Sequence, residues 1–240
     1  MSRWQRVRAT AREFGVWALL LIIVRHLVNA VVGFDVLIVV RQERERSRCP
    51  DTPDLESLSC RVVRASEYEQ VLRRLDPDLV RLHGLRTFAA DARPEDLLLL
   101  TYVDAELAGF TFAHDSGQVD LAPGVRLRVP SGYLYNFSAF TVPEYRGRRH
   151  QGWRHHALLH SPECDTSRGL IGYVLCNNLG SRRGLRKSGY EPVGNIYHLH
   201  WGRLSIAWRS ASLRRAGIQL VARTSGRYGS ASHLEPASDG

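Results

Sequence analysis

A chain of 240 residues with 44% hydrophobic and 24% charged residues has the composition of one globular domain with appendages, which excludes a wholly disordered chain and a small disulfide scaffold. The formal net charge of +9 is unevenly placed: residues 1–12 carry +4, residues 144–189 carry +6, residues 202–240 carry +4, and the remainder is acidic at −5. Every cation but Lys187 is arginine, and Cys49, Cys60, Cys164 and Cys176 show no C-x-x-C spacing, so free thiols in a reducing, cytoplasmic compartment are expected.

Residues 14–24 are apolar without interruption, but Arg25, His26, Asn29 and Asp35 break the continuation to Val40. A spanning helix needs about 20 apolar residues, and Val28-Asn29-Ala30 is a poor signal-cleavage site. The expectation is an amphipathic helix over residues 10–32, ending at Gly33. Arginines at its front would meet anionic lipid, and its apolar face would lie either on a membrane, as a peripheral contact, or on the body of the protein, two placements the sequence does not separate.

Residues 36–40 read as a buried strand. Ser66 and Glu69 form a capping-box pattern for a helix over 66–75, Pro77 breaks it, and 78–85 continue as a second helical piece. Strands 97–103 and 107–114 join through Asp104-Ala105-Glu106, and a Gly/Pro-punctuated arm fills 115–131. A long strand over 133–142 contains Tyr133, Tyr135, Phe137 and Phe140. A helix over 151–159, a strand over 170–176, a helix over 178–187 stopped by Gly189, and a last strand over 193–201 follow. This order predicts an α/β fold with parallel pairing through its second half. Three parts are expected: residues 1–35 as the added N-terminal amphipathic helix, 36–201 as the body, and 202–240 as a basic, partly disordered tail.

The chemistry concentrates in Val142-Pro143-Glu144-Tyr145-Arg146-Gly147-Arg148-Arg149-His150-Gln151-Gly152, between a strand and a helix. A tight turn opening a helix presents free backbone N–H groups at a positive dipole end, and with arginines beside them a diphosphate is the natural guest. Downstream, Asn178 and Ser181 follow the next strand, with Gly189-Tyr190 closing the segment. His156, His160 and Cys164 fall at i, i+4 and i+8, but Pro162 interrupts their helix, and no metal is expected.

The two segments together resemble the GNAT acetyltransferase superfamily: a strand ending at Val142-Pro143, an Arg-Gly-x-Gly-type loop, a helix, then a strand followed by Asn-x-x-Ser and Gly-Tyr. The resemblance covers residues 97–201. It implies a splayed mixed β-sheet flanked by helices, with acetyl-CoA or another acyl-CoA as co-substrate in the V between the strands ending at Val142 and Cys176. Pantetheine would pair with backbone at Phe140, Thr141 and Val142. The diphosphate would sit on Arg146, Gly147, Arg148, Arg149, His150, Gln151 and Gly152, and Asn178 with Ser181 would stand beside the pantetheine arm.

Two departures stand out. Arg149 and Gln151 occupy places where the family loop has glycine and then glycine or alanine, and Leu185 stands where many members have the tyrosine that protonates the departing thiolate. The implied reaction is direct attack of a primary amine of a small molecule on the thioester, with a backbone N–H near Val142 as oxyanion donor. Asn136 and Ser138, alternating on one face of the long strand, are the catalytic candidates, and His198 and His200 share a face of the last strand. Tyr133 and Tyr135 are candidates for shaping an acceptor pocket. Two alternatives stand beside this reading: a long-chain N-acyltransferase using acyl carrier protein, and a noncatalytic GNAT-like module binding CoA or a partner. Nucleic acid is not an expected partner, because no reading motif accompanies the charge.

Overall fold

The computed structural model describes residues 33–82, 85–90, 92–115, 117–122, 125–201 and 204–222. The helix expected over 10–32 and the tail beyond Ala222 lie outside the described residues, and no described helix is long and apolar enough to cross a membrane. The strands are β1 (Gly33–Glu43), β2 (Leu58–Arg64), β3 (Leu97–Val103), β4 (Glu106–His114), β5 (Gln118–Ala122), β6 (Val125–Arg128), β7 (Tyr133–Thr141), β8 (Gly169–Leu175), β9 (Glu191–Trp201), β10 (Leu204–Arg209) and β11 (Gln219–Ala222). The helices are α1 (Tyr68–Leu72), α2 (Pro77–Leu82), α3 (Leu85–Ala90), α4 (His150–Leu159), α5 (Leu179–Lys187) and α6 (Ala211–Arg215).

Eight strands form one sheet in the order β10-β9-β1-β8-β7-β4-β3-β2, and β11-β6-β5 form a second. Among the described residues only β7 and β8 pair in parallel; the other pairs are antiparallel. The expected parallel pairing through the second half is therefore corrected. β1 lies between β8 and β9, antiparallel to both, so these two strands run the same way without touching. Nor is 193–201 the last strand, since β10 pairs with β9 and β11 pairs with β6, which builds residues 204–222 into the fold.

The sheet is packed on both faces. In β3, Leu97 and Leu99 enter the core beneath α4 and α5, while Leu98 and Leu100 enter the core beneath α1 and α3. That explains the unbroken apolar run in place of an alternating one, each buried leucine contributing about 1.5–3 kcal/mol. The β3–β4 hairpin turns on Asp104 (φ 48°) and Ala105 (φ 72°), a two-residue turn whose left-handed backbone matches strand twist. In place of the expected capping box, one half of such a pattern forms two residues earlier, at a 3₁₀ turn: the Glu67 carboxylate accepts the Arg64 N–H at 3.3 Å.

The feature that positions the site is the parting of β7 from β8. They pair only at Tyr133↔Gly169, Leu134↔Leu170 and Tyr135↔Ile171. Beyond that, β7 follows β4 and β8 follows β1. On β7, Phe137 opposes Phe112 and Phe140 opposes Phe110, leaving Ser138 (φ 49°) and Ala139 opposite Thr111 alone. This extra residue is a β-bulge, which bends its strand and leaves backbone outside the ladder. The sheet splays open from this level toward the end of β7.

Candidate functional site

At the mouth of the opening, β7 runs into a 3₁₀ turn over Pro143–Tyr145, then Arg146 to Arg149, all exposed, and then α4. Gly147 (φ 83°) and Arg149 (φ 64°) are left-handed. Arg149 stands where the resembled loop has glycine and keeps a glycine-like backbone at a cost of about 1–2 kcal/mol. It is the N-cap of α4, and no side chain caps the helix. The first amides of α4 thus have no side-chain cap at a positive dipole end, beside exposed arginines, an arrangement suited to an anion.

The turn is held by a segment about a hundred residues upstream. Asp54 accepts from Arg148 Nη1 at 3.1 and 3.3 Å and pairs with His150 Nε2 at 2.7 Å. The Thr52 hydroxyl donates to the Arg148 carbonyl at 2.8 Å, and Arg149 Nη1 donates to the Asp51 carbonyl at 3.3 Å. Burial raises the Asp54 carboxyl, but its bonds to His150 and Arg148 outweigh that and hold it below its ordinary value. Burial lowers His150 against the pull of Asp54. The side chains of Arg148 and His150, expected on the diphosphate, are therefore committed to Asp54. Arg146 donates from Nε to the Thr141 carbonyl at 3.1 Å and lies over the Phe140 ring at 5.9 Å.

The other proposed cofactor residues divide by role. Phe140, Thr141 and Val142 are half-buried at the mouth, but the Val142 N–H donates to Ala108 O at 3.0 Å and is not available to an oxyanion. Gln151 is half-buried, and Gly152 is buried in packing: a Cβ there would lie 2.7 Å from Ser188 Oγ. Across the opening, Asn178 caps α5, its Oδ1 accepting the Ser181 N–H at 3.0 Å. Arg182 Nη1 donates to Cys176 O at 2.9 Å. Leu185 is buried in the core beneath the sheet.

Asn136 and Ser138 do not line one surface, because the bulge separates them. Ser138 is exposed, whereas Asn136 is buried against α4. Asn136 Oδ1 accepts from Thr111 Oγ1 at 2.6 Å, and its Nδ2 reaches His155 Nε2 at 2.9 Å and Tyr190 Oη at 3.1 Å. Burial lowers His155 to about 3 and pushes Tyr190 up, so neither is a proton carrier near neutral pH. Arg154, wholly buried, donates from Nε to Thr101 Oγ1 at 2.7 Å and from Nη1 to the Phe140 carbonyl at 3.0 Å, bracing β7 just past the bulge. Tyr133 and Tyr135 belong to the core on the opposite face, with Tyr133 Oη donating to Glu43 at 2.9 Å. A cavity of about 560 Å³ adjoins the end of β7, lined by Val142 with Leu107, Tyr102, Val71, Arg61 and Arg74.

This is a mixed, splayed sheet flanked by helices, the architecture that the sequence motifs imply. No protein-family model and no curated protein matches the sequence. Solved structures similar to it include a GCN5-related N-acetyltransferase from Kribbella flavida, 15% identical over 80% of this chain and 66% of that one, with a TM-score of 0.46. A Drosophila protein is 14% identical over 76% and 57%, with a TM-score of 0.44. A GCN5-related N-acetyltransferase-like protein from Streptococcus suis is 14% identical over 75% and 66%, with a TM-score of 0.44. The chain thus spans 57% to 66% of the length of these structures.

Proposed function

We propose that the protein is a GNAT-type N-acyltransferase that moves an acetyl or other acyl group from CoA to a primary amine of a small molecule. The observation that carries this reading is the opening between β7 and β8 with the uncapped, arginine-flanked N-terminus of α4 at its mouth. The backbone amides of α4 and the side chains of Arg146 and Arg149 would hold the diphosphate, and Asn178 would flank the pantetheine. The bulge at Ser138–Ala139 puts backbone N–H groups outside the ladder beside the opening, where they would receive the thioester oxyanion in place of Val142. The amine nitrogen bonds to the thioester carbon, the C–S bond breaks, and the amine's proton leaves to solvent while CoA departs as a thiolate. The cavity beside Val142 is adjacent room for the acceptor.

The test is a thermal shift of the full chain with acetyl-CoA, CoA and duplex DNA, followed by thiol release with a panel of amines. At a ligand concentration about 100 times Kd, stabilisation of about 2.7 kcal/mol is expected, or roughly 5–10 °C for a domain of this size. Arg146→Ala and Arg149→Ala should each weaken the CoA shift. No shift with any CoA thioester, or a salt-sensitive shift with DNA alone, would sink the proposal.

A further inference from the structure

We propose a metal site for a divalent transition ion of the zinc class, formed by Asp35, His198 and His200. The three come together through the register of β1 with β9, in which Asp35 lies directly opposite His198 and Gly33 opposite His200. His198 and His200, two residues apart on one strand, project from the same face. One ligand atom from each residue lies within 4.8 Å of the others, with His200 Nε2 at 3.8 Å from Asp35 Oδ2. Zinc with bonds of 2.0–2.1 Å in tetrahedral geometry sets its donors about 3.4 Å apart. Closing the site therefore needs a shift on the order of an ångström, which the partly exposed His200 ring can supply.

Three further features distinguish this group from two ordinary strand histidines. Asp35 and His198 are buried, so a carboxylate and an imidazole have been taken out of water at one point. His198 Nε2 is 2.9 Å from Ser205 Oγ, while its buried Nδ1 has no partner. A ring oriented through one nitrogen and unpartnered at the other is how metal-binding histidines are held. Finally, a Cβ at position 33 would fall on the His200 imidazole, so glycine keeps the place where that ring closes the group. The His200 side chain is 48% exposed and offers the ion an entry path. An ion on three protein donors keeps an open position for water or a ligand oxygen. It would also tie β1 to β9 beside the end of β8, where Cys176 N–H donates to Val36 O.

The test titrates chelator-treated full-length protein with Zn(II) by calorimetry and with Co(II) by visible absorption, independently of any acyl transfer. One equivalent per chain is expected, with cobalt bands of low coordination number. His200→Ala, at an exposed position, should weaken binding by more than the about 10–100-fold that loss of a supporting residue costs, and Ser205→Ala by about that amount. The double variant His156→Ala/His160→Ala should bind as wild type. Absence of binding by wild type, wild-type affinity in both His200→Ala and His198→Gln, or loss of the equivalent in the His156/His160 variant would each overturn the site.

Discussion

Asn136→Ala separates a catalytic from a structural role for that residue. The substitution removes three hydrogen bonds, to Thr111, His155 and Tyr190. Thr111 keeps a second partner, the Phe137 carbonyl at 3.3 Å, but His155 Nε2 and the Tyr190 hydroxyl lose their hydrogen bonds to β7. Each buried orphan costs about 1–3 kcal/mol, and with the small void left behind the total is about 3–5 kcal/mol. For a domain of this size that lowers Tm by about 10 °C. Urea denaturation followed by tryptophan fluorescence measures it. The double variant Asn136→Ala/Tyr190→Phe, which removes one orphan, should recover about 1–2 kcal/mol relative to additivity. A cost below about 1 kcal/mol, with acyl transfer abolished, would refute the structural assignment and return Asn136 to the reaction.

Acid should destabilise the fold through His155. Its folded pKa of about 3 lies below the ordinary 6.5, so between these values the unfolded chain binds the extra proton, and stability present above pH 6.5 is lost as pH falls toward 3. The slope is up to about 1.4 kcal/mol per pH unit, and His155→Gln should flatten that limb in denaturation midpoints taken from pH 7 to 4. Two glycines should respond differently to alanine. At Gly109 a Cβ would fall on the Phe140 carbonyl and Arg154 Nη2, and backbone cannot step aside, so a loss of about 3 kcal/mol is expected from overpacking. At Gly147 the surrounding space is open and only the φ of 83° opposes a side chain, which costs about 1–2 kcal/mol. Equal denaturation midpoints for the two variants would contradict this.

What could be read from the sequence was whatever is decided within about a dozen residues. The turn from β7 into α4 is legible because Pro143, Gly147 and the arginines are adjacent, and the helix stopped by Gly189 is legible in its place, whereas the capping bond from Asn178 to Ser181 emerged only in the structure. The bulge was hidden, because Asn136 and Ser138 obey strict alternation until Ser138 turns left-handed, and that depends on how β7 meets β4. Asp54 lies 94 residues before Arg148, and no local pattern links them. The same holds for β1, whose apolar run predicts a strand but not its insertion between β8 and β9. That insertion also assembles Asp35 with His198 and His200, whose meeting depends wholly on register.

The basic segment over 144–189 is less available to a ligand than its charge suggests. Arg148 is neutralised by Asp54, Arg154 is sealed beneath the sheet, Arg168 lies over the Tyr133 ring at 5.4 Å, and Arg182 is turned to a carbonyl. The cations placed beside the uncapped start of α4 are Arg146 and Arg149, each anchored through a backbone carbonyl without an acidic partner at that bond. A pair of arginines and a helix terminus match a compact diphosphate better than the extended, regularly spaced phosphates of a nucleic acid, which reward many unpaired cations along a track. Of the remaining cations of the segment, Arg183, Arg186 and Lys187 lie exposed on α5, and Arg146 and Arg149 are the two that stand at the start of α4.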